Sequence, residues 1–334
     1  MRNGLLRKGL VIGIILLFFG TVIVPSITGG ISKKKETAQI DEPQSASSSD
    51  TDWWPMFGHD LSHSRFSHSS SPTTNNILWN FSTNYYVLSS PSVFNNKVYC
   101  GSSDDSLYCL DSHSGKLLWS FSTSGGIFSS PALANGKVYF GSQDGTLFCL
   151  NSSTGSMIWS YYTGYSISSS PAVCNGNVYF GSGEGDPESG KIFCLNALTG
   201  QSIWNYSIGF SPSSPVIDYG RVIITSGLKI YCLNAMTGEP LWNYSTGGMI
   251  YSSPTVSDVY AYIGSMDGKV YCLNILNGCL VWNYSTNYYI VLSSPAINNG
   301  RLYIGSCDNN LYCLDAGWGY LRWKYTAGNQ ILTS

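Results

Sequence analysis

The sequence predicts an all-β protein built from repeated four-stranded units, and three observations support this fold class. Tryptophans that end a similar stretch recur about every 40 residues through most of the 334-residue chain. Hairpin-turn pairs such as Asn135-Gly136 and Asp144-Gly145 separate short apolar runs within each interval. A Ser-Ser-Pro tripeptide also recurs once per interval. A fixed period of this length, with several strands per unit, is typical of a β-propeller or a solenoid.

The recurring stretch is clearest from Leu110 to Trp119, where Asp111 and Gly115 suit a turn and the tryptophan follows. We expect each tryptophan ring to be buried in a seam between neighbouring units, because one four-stranded sheet cannot cover its own apolar faces. The predicted docking tryptophans are Trp79, Trp119, Trp159, Trp204, Trp242, Trp282 and Trp323.

These residues resemble the tryptophan-docking motif of the pyrroloquinoline-quinone (PQQ) repeat β-propellers, which include quinoprotein alcohol dehydrogenases and outer-membrane assembly propellers. The resemblance runs from about Trp53 to the end of the sequence. It implies a propeller of four-stranded antiparallel blades. Enzymatic members hold PQQ and calcium on the propeller axis, and several carry a disulfide between adjacent cysteines, which this sequence lacks.

The charge distribution argues against a nucleic-acid partner. Six of the 17 Lys and Arg residues precede Glu36, whereas all 19 Asp and Glu residues lie from Glu36 onward, so the body of the chain is acidic. Nucleic-acid binding needs clustered positive charge.

The N-terminal residues predict export. Basic residues precede an apolar run from Leu10 to Val24, and residues 1–31 are interpreted as a signal peptide or a signal anchor. Whether this segment is cleaved stays open. Residues 32–52 are polar and predict a disordered linker. The protein is thus expected outside the cell, either anchored through its N-terminal segment or secreted.

Residues 53–76 resemble the lead-in segment that packs against the propeller in this family. His59, His63 and His68 lie in it, but their spacing fits no compact zinc site. We therefore predict structural or surface roles for them and no metal site.

The propeller domain is predicted over residues 77–334. In the second unit, the four strands A to D are predicted at Ser129–Asn135, Lys137–Ser142, Thr146–Asn151 and Ser156–Thr163. Six units are complete. A seventh has only a D strand at Ile77–Thr83 and the start of an A strand at Ile331–Ser334. Either the sequence is truncated from a seven- or eight-bladed parent, which we favour, or the ring closes imperfectly.

Six of the ten cysteines occupy one equivalent place in strand C, where a small buried apolar residue is expected: Cys109, Cys149, Cys194, Cys232, Cys272 and Cys313. Cys100 is predicted opposite Cys109 across the Asp104-Asp105 turn, as a possible disulfide. No disulfide is predicted for Cys174, Cys279 or Cys307.

The expected binding face carries the loops between strands D and A, which emerge beside the loops between strands B and C. Its candidate contact residues are aromatic: Tyr85, Tyr86, Phe128, Tyr165, Phe210, Tyr251, Tyr288 and Tyr289. Packing of these rings against their own loops is the alternative. The chain also has possible glycan sites in Asn-x-Ser sequons, at Asn80, Asn151, Asn205, Asn243 and Asn283.

Neither a catalytic site nor a cofactor site is predicted. All four histidines lie before residue 114, and the acidic loop at 183–188 is confined to a single unit rather than spread around an axis. We therefore expect a non-catalytic scaffold that recognises a protein, peptide or glycan. The alternative is a PQQ- and calcium-dependent enzyme that oxidises an alcohol or a sugar.

Overall fold

Six four-stranded antiparallel sheets form the fold in a computed structural model, which describes residues 53–67, 69, 74–183 and 189–332. Every regular element among these residues is a β-strand. The six predicted complete blades are therefore confirmed. The predicted signal segment at 1–31, the linker at 32–52, His68 and the last two residues of Ile331–Ser334 lie outside the described residues.

The strands run from the innermost A strand to the outermost D strand in each blade. Blade 1 comprises β1 (Ser92–Phe94), β2 (Lys97–Ser102), β3 (Ser106–Asp111) and β4 (Leu117–Ser122). Blade 2 comprises β5 (Ala132–Ala134), β6 (Lys137–Gly141), β7 (Thr146–Asn151) and β8 (Met157–Tyr162). Blade 3 comprises β9 (Ala172–Cys174), β10 (Asn177–Ser182), β11 (Lys191–Asn196) and β12 (Ser202–Ser207).

The remaining three blades repeat the same order. Blade 4 comprises β13 (Val216–Asp218), β14 (Arg221–Ser226), β15 (Lys229–Asn234) and β16 (Pro240–Ser245). Blade 5 comprises β17 (Thr255–Ser257), β18 (Tyr260–Gly264), β19 (Lys269–Asn274) and β20 (Leu280–Ser285). Blade 6 comprises β21 (Ala296–Asn298), β22 (Arg301–Gly305), β23 (Asn310–Asp315) and β24 (Leu321–Thr326). Neither Ile77–Thr83 nor the described residues 331 and 332 form a strand.

The A strands are shorter than predicted because serine side chains take over backbone hydrogen bonds at their starts. In blade 2 the Ser129 hydroxyl donates to the carbonyl of Gly141 at 2.8 Å and accepts from its N–H at 2.7 Å. The next residue, Ser130, donates its N–H to the Ser170 hydroxyl of blade 3 at 2.9 Å. The Ser-Ser pair thus ties its own blade together and links it to the next blade, and the regular strand begins only after Pro131.

Each seam between blades is sealed by one of the recurring tryptophans. Trp119 Nε1 donates to the carbonyl of Ser152 in blade 2 at 3.2 Å, and its ring lies against Gly155. The glycine is required there: its φ is +73°, and a Cβ would lie 2.7 Å from the Trp119 ring. The same indole-to-carbonyl bond is made by Trp79, Trp159, Trp204, Trp242 and Trp282.

The tryptophan of the last blade lies in a different environment. Trp323 is 41% exposed, whereas Trp204 in the third blade is only 9% exposed. Tyr325, two residues further along β24, is also exposed, while its counterpart Tyr206 in β12 is partly buried. The outer strand of blade 6 therefore exposes aromatic rings whose counterparts in blade 3 are covered by the neighbouring blade.

Residues 53–66 follow the innermost edges of the blades as a continuous strap. The strap carbonyls of Pro55, Leu61 and Ser64 accept from backbone N–H groups of β5, β13 and β21. Trp54 forms a two-way bridge with Val93 of β1, and Ser62 accepts from Val256 of β17. These bonds satisfy A-strand edges that would otherwise lack partners, which is one way that proteins protect exposed sheet edges.

The predicted pairing of Cys100 with Cys109 is wrong by one residue. In the structure Tyr99 lies opposite Cys109, and Cys100 lies opposite Tyr108. The cause is the turn: Ser102 pairs with Ser106, leaving three residues in the loop instead of two, with Asp105 at a φ of +65°. Because successive side chains on a strand point to opposite faces, this shift places the two thiols on different faces of the blade. Both cysteines are free.

Candidate binding face

One end of the propeller brings together the D-to-A loops and the B-to-C turns, and we call it the loop face. Aspartates in the B-to-C turns hold the D-to-A loops of the preceding unit through backbone N–H groups. Asn84 donates to Asp104 at 2.8 Å, and Asn287 donates to Asp308 at 3.1 Å. Ser124 and Gly247 make equivalent bonds to aspartates of the next blade. Each clamp fixes a loop on the neighbouring blade.

Tyrosine hydroxyls orient three of these aspartates, with Tyr271 donating to Asp267 at 2.5 Å. Tyr108 donates to Asp104 at 2.9 Å, and Tyr312 donates to Asp308 at 2.5 Å. Burial alone would raise the pKa of Asp308, but the hydrogen bonds from Tyr312 and from the backbone N–H groups of Asn310 and Asn287 lower it overall. The clamp carboxylate is therefore charged at neutral pH.

The aromatic residues predicted for this face differ in exposure. The exposed rings are Tyr85, Tyr86, Tyr165, Tyr288 and Tyr289. The partly buried rings are Phe128, Phe210 and Tyr251. The strap does not make its backbone bonds at this end, since it pairs with the central residues of the A strands near their A-to-B turns.

Side chains of the strap bond to the innermost strands of blades 5 and 6 and to the strap itself. His63 is 2% exposed, and its Nδ1 lies 3.0 Å from the carbonyl oxygen of Pro254. Arg65 Nη1 donates to Thr255 Oγ1 at 2.5 Å and to the carbonyl of Pro295 at 2.7 Å. Asp60 accepts from the backbone N–H groups of Ser62 and Ser64, both at 3.0 Å. The only charged groups of the strap are thus used to shape the strap and fasten it to blades 5 and 6.

These residues do not fit PQQ with calcium, the cofactor pair of enzymatic family members. Calcium takes six to eight oxygen ligands, usually with several carboxylates. No cluster of three or more His, Cys, Asp or Glu side chains that could hold a metal occurs in the part of the chain that the structure describes. Asp60, the strap carboxylate, is already bonded by Ser62 and Ser64.

The six strand-C cysteines lie where each β-bulge begins, opposite the docking tryptophan of their own blade, as in the Cys149 and Trp159 pair. All six are buried. Burial raises the pKa of the Cys109 thiol to about 11 and that of the Cys149 thiol to about 12.

We expect these six thiols to resist alkylation in the folded protein, because a neutral and enclosed thiol is a poor nucleophile. Cys279 is exposed and should react first with iodoacetamide at pH 8. Peptide mass spectrometry before and after denaturation measures the labelling of the six strand-C cysteines and of Cys279. Cys279→Ser is the control. Labelling of Cys149 as fast as Cys279 in the native state would contradict the prediction.

The five sequon asparagines are not equivalent. Asn80, Asn205, Asn243 and Asn283 are exposed. Asn151 is instead partly buried, and its Oδ1 accepts from the backbone N–H groups of Ser153 and Thr154 at 2.9 and 3.0 Å. The possible glycan sites remain predictions, with Asn151 engaged in its own turn.

Comparison with known proteins agrees with this architecture. The sequence model of the family described as outer membrane protein assembly factor BamB matches residues 68–215 and 209–330. No curated protein sequence matches the chain. Among residues 53–67, 69, 74–183 and 189–332, no helix has the length and apolar character needed to cross a bilayer.

Solved structures with the same fold include a BamB protein and quinohemoprotein alcohol dehydrogenases. BamB from Moraxella catarrhalis superposes with a TM-score of 0.67 at 18% identity, covering 77% of this chain and 82% of that one. Quinohemoprotein alcohol dehydrogenase from Comamonas testosteroni superposes with a TM-score of 0.68 at 14% identity, covering 86% of this chain and 75% of that one. The quinohemoprotein alcohol dehydrogenase ADHIIG from Pseudomonas putida HK5 superposes with a TM-score of 0.65 at 14% identity, covering 84% of this chain and 73% of that one. Identities this low show a shared fold alone.

Proposed function

The chain belongs to the family described as outer membrane protein assembly factor BamB, and from that premise we propose that it is a non-catalytic binding propeller. It recognises a partner protein through its loop face, on the outer side of a membrane to which its N-terminal segment directs it. The observation that carries this proposal is the set of exposed tyrosines on loops clamped to neighbouring blades. Tyrosine is enriched at protein interfaces because it offers a large ring and a polar tip.

The hydrogen bonds that hold the loop backbone in place support a binding role for these rings. Thr83 Oγ1 donates to the carbonyl of Tyr85 at 2.6 Å, which closes the loop, and the clamp of Asn84 to Asp104 fixes it on blade 1. A loop backbone held in this way loses little conformational entropy when a partner covers it. Tyr85 and Tyr86 remain 62% and 51% exposed.

Site-specific photo-crosslinking in the producing cell tests the proposal. A photoreactive phenylalanine analogue at Tyr86 or Tyr289 should give the same discrete protein adduct. The same analogue at Trp318, which is 73% exposed in a C-to-D turn at the opposite end, should not. An adduct from Trp318 alone, or none from either tyrosine position, would refute a role for the loop face.

The alternative function is a PQQ- and calcium-dependent dehydrogenase, favoured by the superposition on quinohemoprotein alcohol dehydrogenases. The lack, among the described residues, of a cluster of His, Cys, Asp or Glu side chains that could hold calcium argues against it. Adding PQQ and Ca²⁺ to the purified full-length protein, followed by dye-reduction and melting-temperature measurements, separates the two functions. Dye reduction with an alcohol or a sugar, together with a raised melting temperature, would favour the enzyme.

A further inference from the structure

Two of the D-to-A loops carry the same pentapeptide, Ser-Thr-Asn-Tyr-Tyr, at residues 82–86 and 285–289. The loops also share their hydrogen bonds. Thr286 Oγ1 donates to the carbonyl of Tyr288 at 2.6 Å, as Thr83 does to Tyr85. The carbonyls of Tyr86 and Tyr289 accept from N–H groups of the next blade at 2.8 and 2.9 Å. The chain therefore builds one surface unit twice, in the loops that precede blades 1 and 6.

Each unit displays a pair of neighbouring tyrosine rings, and all four tyrosines are exposed. The Tyr85 and Tyr86 centroids are 4.7 Å apart at an interplanar angle of 73°, and those of Tyr288 and Tyr289 are 4.3 Å apart at 39°. Aromatic faces carry partial negative charge and attract ammonium and guanidinium groups. In the described part of the chain the recorded cation–π contact lies elsewhere, between Arg65 and Phe57, so both pairs are open to an external cation.

Negative charge lies beside both pairs. Asp104 and Asp308 hold the two loops by their clamps. Asp104 Oδ1 is buried without a hydrogen-bond partner among the described residues, so part of that charge is uncompensated. Asp105, next in the same turn, is exposed. Residue 309, which follows Asp308 in the equivalent turn, is an asparagine. The first unit is therefore the more acidic of the two.

We propose that these two tyrosine-pair units are twin subsites for arginine or lysine side chains of a basic segment in the partner protein. This inference rests on the proposed function and names the chemistry of the partner. Each cation lies against a tyrosine pair, where the neighbouring aspartate strengthens its attraction. Two subsites of the same chemistry on one face let a flexible segment that is long enough to span them bind at both, which raises its overall affinity.

Direct binding of defined peptides to the purified full-length protein tests the inference. The probe is a fluorescent octapeptide of alternating glycine and arginine. Its comparisons replace arginine by citrulline, which has a similar shape without charge, or by glutamate. We expect saturable binding of the arginine peptide that weakens with salt, and at least tenfold weaker binding of the other two. Tyr86→Ala and Tyr289→Ala should each weaken binding about 2- to 5-fold, and the double variant more than either.

Two further variants separate these subsites from general surface charge. Asp105→Asn makes the first turn resemble the second and should weaken binding about 2-fold while leaving the melting temperature unchanged. Tyr320→Ala removes an exposed tyrosine from the opposite end of the molecule and should have no effect. Equal binding of the citrulline peptide, or an unchanged affinity in the double tyrosine variant, would overturn the inference. Loop-face adducts in the crosslinking experiment together with no arginine-peptide binding would leave the proposed function standing and reject only the basic partner.

Discussion

Trp204→Ala should lower the free energy of unfolding by about 3–5 kcal/mol, the usual cost of removing a large buried aromatic side chain. The indole fills the seam between blades 3 and 4, and its Nε1 donates to the carbonyl of Ala235 at 3.0 Å. Gly238 lies against the ring so closely that a Cβ there would be 2.6 Å from it. The substitution therefore leaves a cavity and removes one of the two hydrogen bonds that the Ala235 carbonyl accepts, the other coming from the Tyr179 hydroxyl at 3.2 Å. Urea denaturation followed by circular dichroism measures the loss.

Trp323→Ala is the matched control, because it removes the same residue type from the equivalent position of blade 6. Its ring is 41% exposed. Less apolar surface is lost on truncation, so we expect a cost of about 1 kcal/mol. Similar losses in the two variants would show that packing between blades does not set the contribution of these tryptophans.

Acid should destabilise the protein through His63 well before most carboxylates are protonated. Burial, with a smaller contribution from the positive charge of Arg65, lowers the pKa of His63 to about 3. Unfolding would return it to about 6.5. Below pH 6.5 the unfolded state binds a proton that the folded state does not, so stability falls as the pH falls from 6.5 towards 3. The expected loss between pH 7 and pH 4.5 is about 2–3 kcal/mol.

His63→Gln should flatten this pH profile, whatever its effect on stability at pH 7. The variant keeps a side-chain donor that can reach the carbonyl of Pro254 but cannot titrate. His113→Gln changes an exposed histidine and should leave the profile as it is. Asp60 contributes little to the change in stability between pH 7 and pH 4.5, because its pKa lies below the ordinary 3.8. A wild-type profile that is level from pH 7 to 4.5 would contradict the burial of a neutral imidazole.

The blade architecture could be predicted from the sequence because its determinants are local and repeated. Turn pairs, the Ser-Ser-Pro tripeptide and the spacing of the tryptophans each report on a few neighbouring residues. The register of the first hairpin could not be obtained in the same way. Asp104-Asp105 resembles a two-residue turn, but Asp105 adopts a positive φ within a three-residue loop. A shift of one residue in strand pairing puts side chains that were expected to face each other on opposite faces of the sheet.

The candidate binding face was predicted only in part. The positions of the loops follow from blade topology, so the aromatic residues could be assigned to one face. The aspartate clamps and the matching tyrosine pairs depend on contacts between successive units. A signal for them existed in the repeated pentapeptide at 82–86 and 285–289. The burial of His63 left no sequence signal, because it depends on the path of the strap past residues far along the chain.

The strap along the A strands has a consequence for how the protein folds. In a simple array of repeats each unit interacts only with its neighbours, so end units can fray and folding can spread from any point. Here one short segment pairs with residues as distant as Val93 and Ile297. Its bonds form only after the blades have assembled, and contacts of such long range slow folding. Once formed, they couple the stabilities of the first and last blades, so that hydrogen exchange should report one cooperative unit and not graded opening from the ends.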